Sequence, residues 1–120
     1  MHRSLEELPV ELQQGGLVTR YTEWGDMAVR YADIPAGTDL GPVLEGLPGD
    51  RCPSPHWGMV LDGAIRVEQA DGSEDVVRGG QAYYWPAGHT AVTEERTALL
   101  EVGPVAPMRQ FGDHAKAKLG

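Results

Sequence analysis

Cys52-Pro53-Ser54-Pro55-His56-Trp57-Gly58-Met59-Val60-Leu61-Asp62-Gly63 and Gly80-Gln81-Ala82-Tyr83-Tyr84-Trp85-Pro86-Ala87-Gly88-His89 are the two runs whose reading decides the fold. Each is a strand followed by a turn, with ligand-type side chains beside punctuating Gly and Pro. The segment around them continues in the same way. Trp57 to Leu61, Ala64 to Gln69, Glu74 to Arg78, Gln81 to Trp85, His89 to Thr93 and Thr97 to Val102 read as short strands, separated by Asp62-Gly63, Asp71-Gly72, Gly79-Gly80, Pro86-Ala87-Gly88 and Glu95-Arg96. Strands at this spacing indicate an all-β sandwich or barrel, not alternating βαβ units. Asp71-Gly72 is the clearest hairpin turn.

Upstream, Leu17 to Thr22 and Met27 to Ile34 form a further strand pair around Trp24-Gly25-Asp26. Alternation along the second strand sets Arg30 on the face opposite Met27, Val29 and Tyr31. Pro35 to Pro42 is loop chemistry. Ser4 to Gln14, interrupted by Pro9, predicts a short helical turn or an extended arm that covers a sheet edge or reaches a neighbouring subunit. The tail predicts one short helix around His114 to Leu119.

The chain has 120 residues and 13.0 kDa, which suits one hydrophobic core and one domain spanning residues 1–120. Its formal charge is −8, a field that repels phosphate backbones and anionic lipid, so neither nucleic acid nor a membrane surface is an expected partner. The lone Cys52 cannot pair within the chain, and no basic start with an apolar core resembles a secretory signal. A cytoplasmic location is the expectation. No apolar run approaches the roughly twenty residues that cross a bilayer.

Segments Pro35 to Gly37, His56 to Gly63 and Gly80 to His89 resemble a single-domain cupin. The Pro55-His56-Trp57-Gly58 and Pro86-Ala87-Gly88-His89 pieces are similar to a small bacterial cupin subfamily, over about residues 20 to 104. The resemblance implies a double-stranded β-helix, or jelly-roll, barrel. It also implies a homodimer and a divalent transition metal held by two histidines and a glutamate from the first motif and one histidine from the second. This chain departs from that pattern. Counting back from Val60-Leu61-Asp62-Gly63, His56 stands at the glutamate position, while Cys52 and Asp50 stand at those of the histidine pair. The second-motif histidine position holds Ala91; His89 lies two residues earlier, on the same face of a strand.

The resulting candidate metal set is Cys52, His56 and His89, with Asp50 or Glu101 as a fourth ligand or a group behind the ligands. Thiolate with imidazoles favours zinc. The competing reading makes Cys52 a small buried apolar residue with no metal. Glu101 interrupts the apolar run Ala98 to Val102. On a lumen face burial would raise its pKa and make it, with His56, a candidate catalytic acid or base; on the other face it is an ordinary surface acid. Trp57, Met59, Tyr84 and Trp85 are candidates to line a pocket for a small organic ligand, with core packing as the alternative. Arg30 would either meet an anionic ligand group or form an exposed salt bridge. No organic cofactor is indicated. The function expected is a metal-assisted enzyme acting on a small metabolite inside the barrel; the alternative is a ligand-binding or sensor protein that has lost the metal.

Overall fold

The computed structural model describes residues 1–119. Nine strands form two sheets: β1 (Val10–Gln14), β2 (Leu17–Trp24), β3 (Met27–Ile34), β4 (His56–Asp62), β5 (Ala64–Glu68), β6 (Glu74–Arg78), β7 (Ala82–Trp85), β8 (Thr90–Thr93) and β9 (Thr97–Pro104). The larger sheet runs β1-β2-β3-β9-β4-β7 and the smaller β6-β5-β8, with antiparallel pairing throughout. Short helices α1 (Gly41–Leu44) and α2 (Val105–Leu119) complete the fold. The expected strand series after Gly49 is therefore present, and the expected all-β barrel is observed.

The chain switches between sheets at Asp62-Gly63, after a register shift between Val60 and Asp62. Gly63 has φ 90°, and a Cβ there would run into the Arg96 carbonyl and lie 2.9 Å from the Thr97 Cα. Only glycine fits the corner. Between the sheets lies the main core, which includes Ile34, Val60, Ile65, Val67, Trp85 and Leu99.

The N-terminal segment is more regular than an arm. After a 3-10 turn at Leu5–Glu7, β1 hydrogen-bonds along β2 and extends the sheet at its edge. The C-terminal helix is also longer than expected, because Pro107 occupies its third position, where a missing N–H breaks no intrahelical bond. Phe111 and Ala115 of α2 pack against Leu12 of β1 and Val43 of α1, closing one end of the barrel. No described helix is long and apolar enough to cross a membrane.

Candidate metal centre

Three polar side chains, Cys52 and His56 from the first run and His89 from the second, meet inside this barrel. Residues 52 and 89 face each other across an isolated antiparallel bridge: the Cys52 N–H donates to the His89 carbonyl at 2.9 Å, and the Gly88 N–H to the Cys52 carbonyl at 2.7 Å. His56 opens β4 opposite Trp85, whose strand leads through Pro86-Ala87-Gly88 directly to His89. Backbone pairing thus brings all three side chains to one place. Their ligand-type atoms lie within 4.8 Å of one another, and all three residues are buried.

Cys52 Sγ lies 3.3 Å from His56 Nε2. Sulfur and nitrogen donors sharing a tetrahedral zinc stand about 3.5 Å apart, given bonds of about 2.3 and 2.0 Å. His89 points its Nδ1 at the Pro86 carbonyl, 2.8 Å away, which fixes the ring and leaves Nε2 for a ligand. Burial pushes the His56 pKa down to about 3, with the Arg30 charge adding to the effect. Burial likewise brings His89 down to about 4. Both rings are neutral at pH 7, the form that ligates. Burial pushes the Cys52 thiol up to about 12, so a bound cation is what would make it a thiolate.

Behind His56 stands Glu101, delivered by β9 on the same face as Leu99. Its Oε2 lies 3.6 Å from His56 Nδ1, too far for a hydrogen bond, and Nδ1 has no other partner. The other carboxylate oxygen accepts from the Tyr83 hydroxyl at 2.8 Å. Burial raises the Glu101 pKa, opposed by the nearby Arg30 charge and the Tyr83 hydrogen bond. Metal on Nε2 would place the His56 proton on the orphaned Nδ1, facing the carboxylate. That is the carboxylate-histidine arrangement that orients metal ligands. On these observations the residues present fit a divalent cation, with a soft donor set.

A cavity of about 70 Å³ adjoins the three residues, walled largely by apolar side chains that include Leu40, Leu44 and Ile65 and roofed by Phe111 and Gly112 of α2. One water needs about 10–15 Å³ on this measure, so the space suits a few waters or a small organic molecule. Trp85 and Arg30 line the cavity. Ala91 also lines it beside His89, so the two positions do share a face.

Other expectations need correction. Trp57, Met59 and Tyr84 are exposed on the outer face of the large sheet, because they alternate with the inward His56, Val60, Tyr83 and Trp85. Asp50 is exposed and turns its carboxylate away to accept the Gly46 N–H at 2.9 Å. Arg30 is no surface residue. It is buried and paired with Glu11, Nε to Oε1 at 2.8 Å and Nη2 to Oε2 at 2.9 Å, while Nη2 also reaches the Met108 carbonyl. Sequence reasoning missed Glu11 and Tyr83. The available signal for Glu11 was Arg30 itself, a charge on the inward face of β3 that required a partner.

No protein-family profile and no curated protein matches the chain. Solved structures do. An RmlC-like cupin from Shewanella frigidimarina aligns over 84% of this chain and 86% of its own, with 18% identity and a TM-score of 0.61. The fold is a cupin barrel. KdgF from Halomonas sp. shares this cupin architecture over 82% of this chain and 89% of its own, at 19% identity and a TM-score of 0.60. An oxalate decarboxylase variant from Bacillus subtilis matches 85% of this chain at 18% identity and a TM-score of 0.62, over 28% of the longer enzyme chain.

Proposed function

We propose that this cupin binds one divalent transition metal, zinc in preference, through Cys52, His56 and His89, and acts as an enzyme on a small organic molecule in the adjoining cavity. The observation that carries the reading is the buried convergence of one thiol and two neutral imidazoles at the wall of that cavity. A bound divalent metal supplies Lewis acidity. The chain supplies the rest. Glu101 faces His56 Nδ1 and lines the cavity, where burial raises its pKa and equips it to hold or release a proton. Tyr83 fixes the orientation of that carboxylate through its 2.8 Å hydrogen bond. Apolar walls exclude bulk water and select for size. The oxalate decarboxylase match supports an enzymic reading to the extent of its fold. A reducing cytoplasm suits a ligand set that depends on a free thiol.

One observation favours the alternative, a binding or sensor protein without metal: the Cys52 thiol and His56 Nε2 already pair with each other at 3.3 Å. Elemental analysis of protein purified without added metal separates the two. Near-stoichiometric metal in the wild type, lost in Cys52→Ser and His56→Ala, supports the metal site. An equal substoichiometric signal in all three would remove it. Thermal-shift screening of small metabolites then tests the pocket, since a ligand that binds only the folded protein raises its melting temperature.

A further inference from the structure

Buried polar atoms in native folds nearly always have a hydrogen-bond partner. Among the described residues three side-chain atoms have none: His56 Nδ1, Thr90 Oγ1 and Trp85 Nε1. The first faces Glu101. Thr90 borders the cavity but alternates with the inward Ala91 along β8 and is only half-buried, which puts its hydroxyl on the other face of the strand. Trp85 is different. It is 3% exposed, lines the cavity, and sets its ring centroid 6.3 Å from that of His56 and 5.5 Å from that of His89. Its indole N–H is a donor sealed in beside the candidate metal ligands, with no protein acceptor. A buried indole normally pairs that N–H. Phenylalanine would supply the same stacking on Tyr83, where the centroids are 3.7 Å apart, and leave no donor bare. The nitrogen adds nothing to packing and stands ready for a molecule in the cavity.

The indole donates and cannot accept, so whatever completes it carries an acceptor. Charge narrows the class. Among the lysines and arginines only Arg30 lines the cavity, and Glu11 neutralises it through two hydrogen bonds. His56 and His89 are neutral at pH 7. The wall thus offers a carboxylate or phosphate no uncompensated positive charge, and a buried anion without one is costly. A divalent ion would already be opposed by the Cys52 thiolate and the Glu101 carboxylate. A carbonyl oxygen accepts without bringing a donor of its own, whereas an alcohol or amide would bury an extra donor against apolar walls. Unlike an ether, it is also a group that a Lewis-acidic metal polarises. At about 70 Å³ the space holds a molecule the size of about five to seven waters.

Resting on the small-molecule reading of the cavity, we propose that Trp85 sets its specificity: the indole N–H donates a hydrogen bond to the carbonyl oxygen of a small uncharged molecule, such as a ketone or an aldehyde.

Nuclear magnetic resonance of the full isotope-labelled chain tests this. The three tryptophans give three indole N–H signals; Trp24→Phe and Trp57→Phe, both at residues that reach solvent, assign the Trp85 signal by elimination. Cyclopentanone, titrated into the protein as purified and again after chelation, should move that signal downfield and leave the other two in place. Methylenecyclopentane, the isostere with CH2 in place of oxygen, should bind about tenfold more weakly, because it leaves the donor unpaired whether or not a water served it before. Trp85→Phe, with its fold checked by circular dichroism, should bind the two about equally. The wild-type comparison needs no substitution at the site, so it decides even where that variant is unstable. Equal affinity of the wild type for the two probes, or ketone binding that leaves the Trp85 signal unmoved, would overturn the proposal and keep the pocket. Tighter binding of butyrate than of cyclopentanone would overturn the uncharged class. If neither cyclic probe bound, the small-molecule reading of the cavity would fall as well.

Discussion

Glu11→Ala removes one half of an ion pair that is buried at both ends, with side-chain exposures of 2% for Arg30 and 6% for Glu11. Three hydrogen bonds to the carboxylate disappear: two from Arg30 and one from the Thr19 hydroxyl at 2.9 Å. The guanidinium keeps the Met108 carbonyl, a 3.7 Å contact to the Met108 sulfur and the faces of the Tyr21 and Phe111 rings, 4.9 and 5.0 Å away, none of which carries a negative charge. A buried charge stripped of its partner costs about 3–5 kcal/mol, and at these exposures solvent screening relieves little of it. That is a large share of the about 5–15 kcal/mol by which such domains are stable. With a urea slope of about 2 kcal/mol/M, the unfolding midpoint should fall by about 2 M at unchanged slope. Replacing both partners, Glu11→Leu with Arg30→Met, should recover most of that loss, because an apolar pair of similar volume needs no desolvation. Equilibrium urea unfolding followed by Trp fluorescence measures both. A midpoint for Glu11→Ala within 0.5 M of wild type, on the order of 1 kcal/mol, would refute the reasoning, since it would mean that water reaches Arg30.

Glu101→Gln should keep the hydrogen bond from Tyr83 but lose the negative charge facing His56, and metal affinity should drop about 10–100-fold in a competition titration with a chromogenic chelator; an unchanged affinity would leave Glu101 without a role behind the ligands. Chelator-treated protein should lose stability as pH falls. His56 and His89 have folded pKa values of about 3 and about 4, below the about 6.5 of an exposed imidazole. The unfolded chain therefore gains protons first. Their contribution is whole above about pH 6.5 and declines toward pH 4, by at most about 2.7 kcal/mol per pH unit for the two together. Protonation of Glu101, whose pKa is raised, offsets part of this. Urea midpoints at pH 7, 6 and 5 measure the slope, and a flat line would contradict it. Gly63→Ala should destabilise by more than about 2 kcal/mol, because the new methyl group meets the Arg96 carbonyl at a positive φ; a near-neutral change in thermal unfolding would show that the corner can relax.

The strands from β4 to β7 were legible because an Asp-Gly or Gly-Gly pair bounds each of them, and β9 alternation puts Glu101 on the face of Leu99. The alternation around Arg30 was read correctly too, but its consequence was missed. Ala28, Ala32 and Ile34 are together less bulky than Met27, Val29 and Tyr31, so size did not mark the face of Arg30 as core, and neither reading of the arginine, ligand contact or exposed salt bridge, included a buried partner. The same bias toward burying large side chains misplaced Trp57, Met59 and Tyr84. His56 and Trp85 were candidates for the interior, and period two from them turns Trp57, Met59 and Tyr84 outward, a step that was not taken. The expected helix began only around His114, although the first turn of a helix accepts a proline such as Pro107. Glu11 was illegible in isolation; its role depends on β1 pairing with β2 beneath α2, a tertiary fact.

The bridge between residues 52 and 89 is made entirely of main-chain atoms. Two donors are thus held side by side by hydrogen bonds that do not depend on an ion, unlike a zinc finger, whose loops stay unfolded until metal gathers them. Stripping and reloading should then be cycles of a permanently folded molecule, and one preparation can be charged in turn with different cations. Which of them would be held there follows from supply as much as from preference.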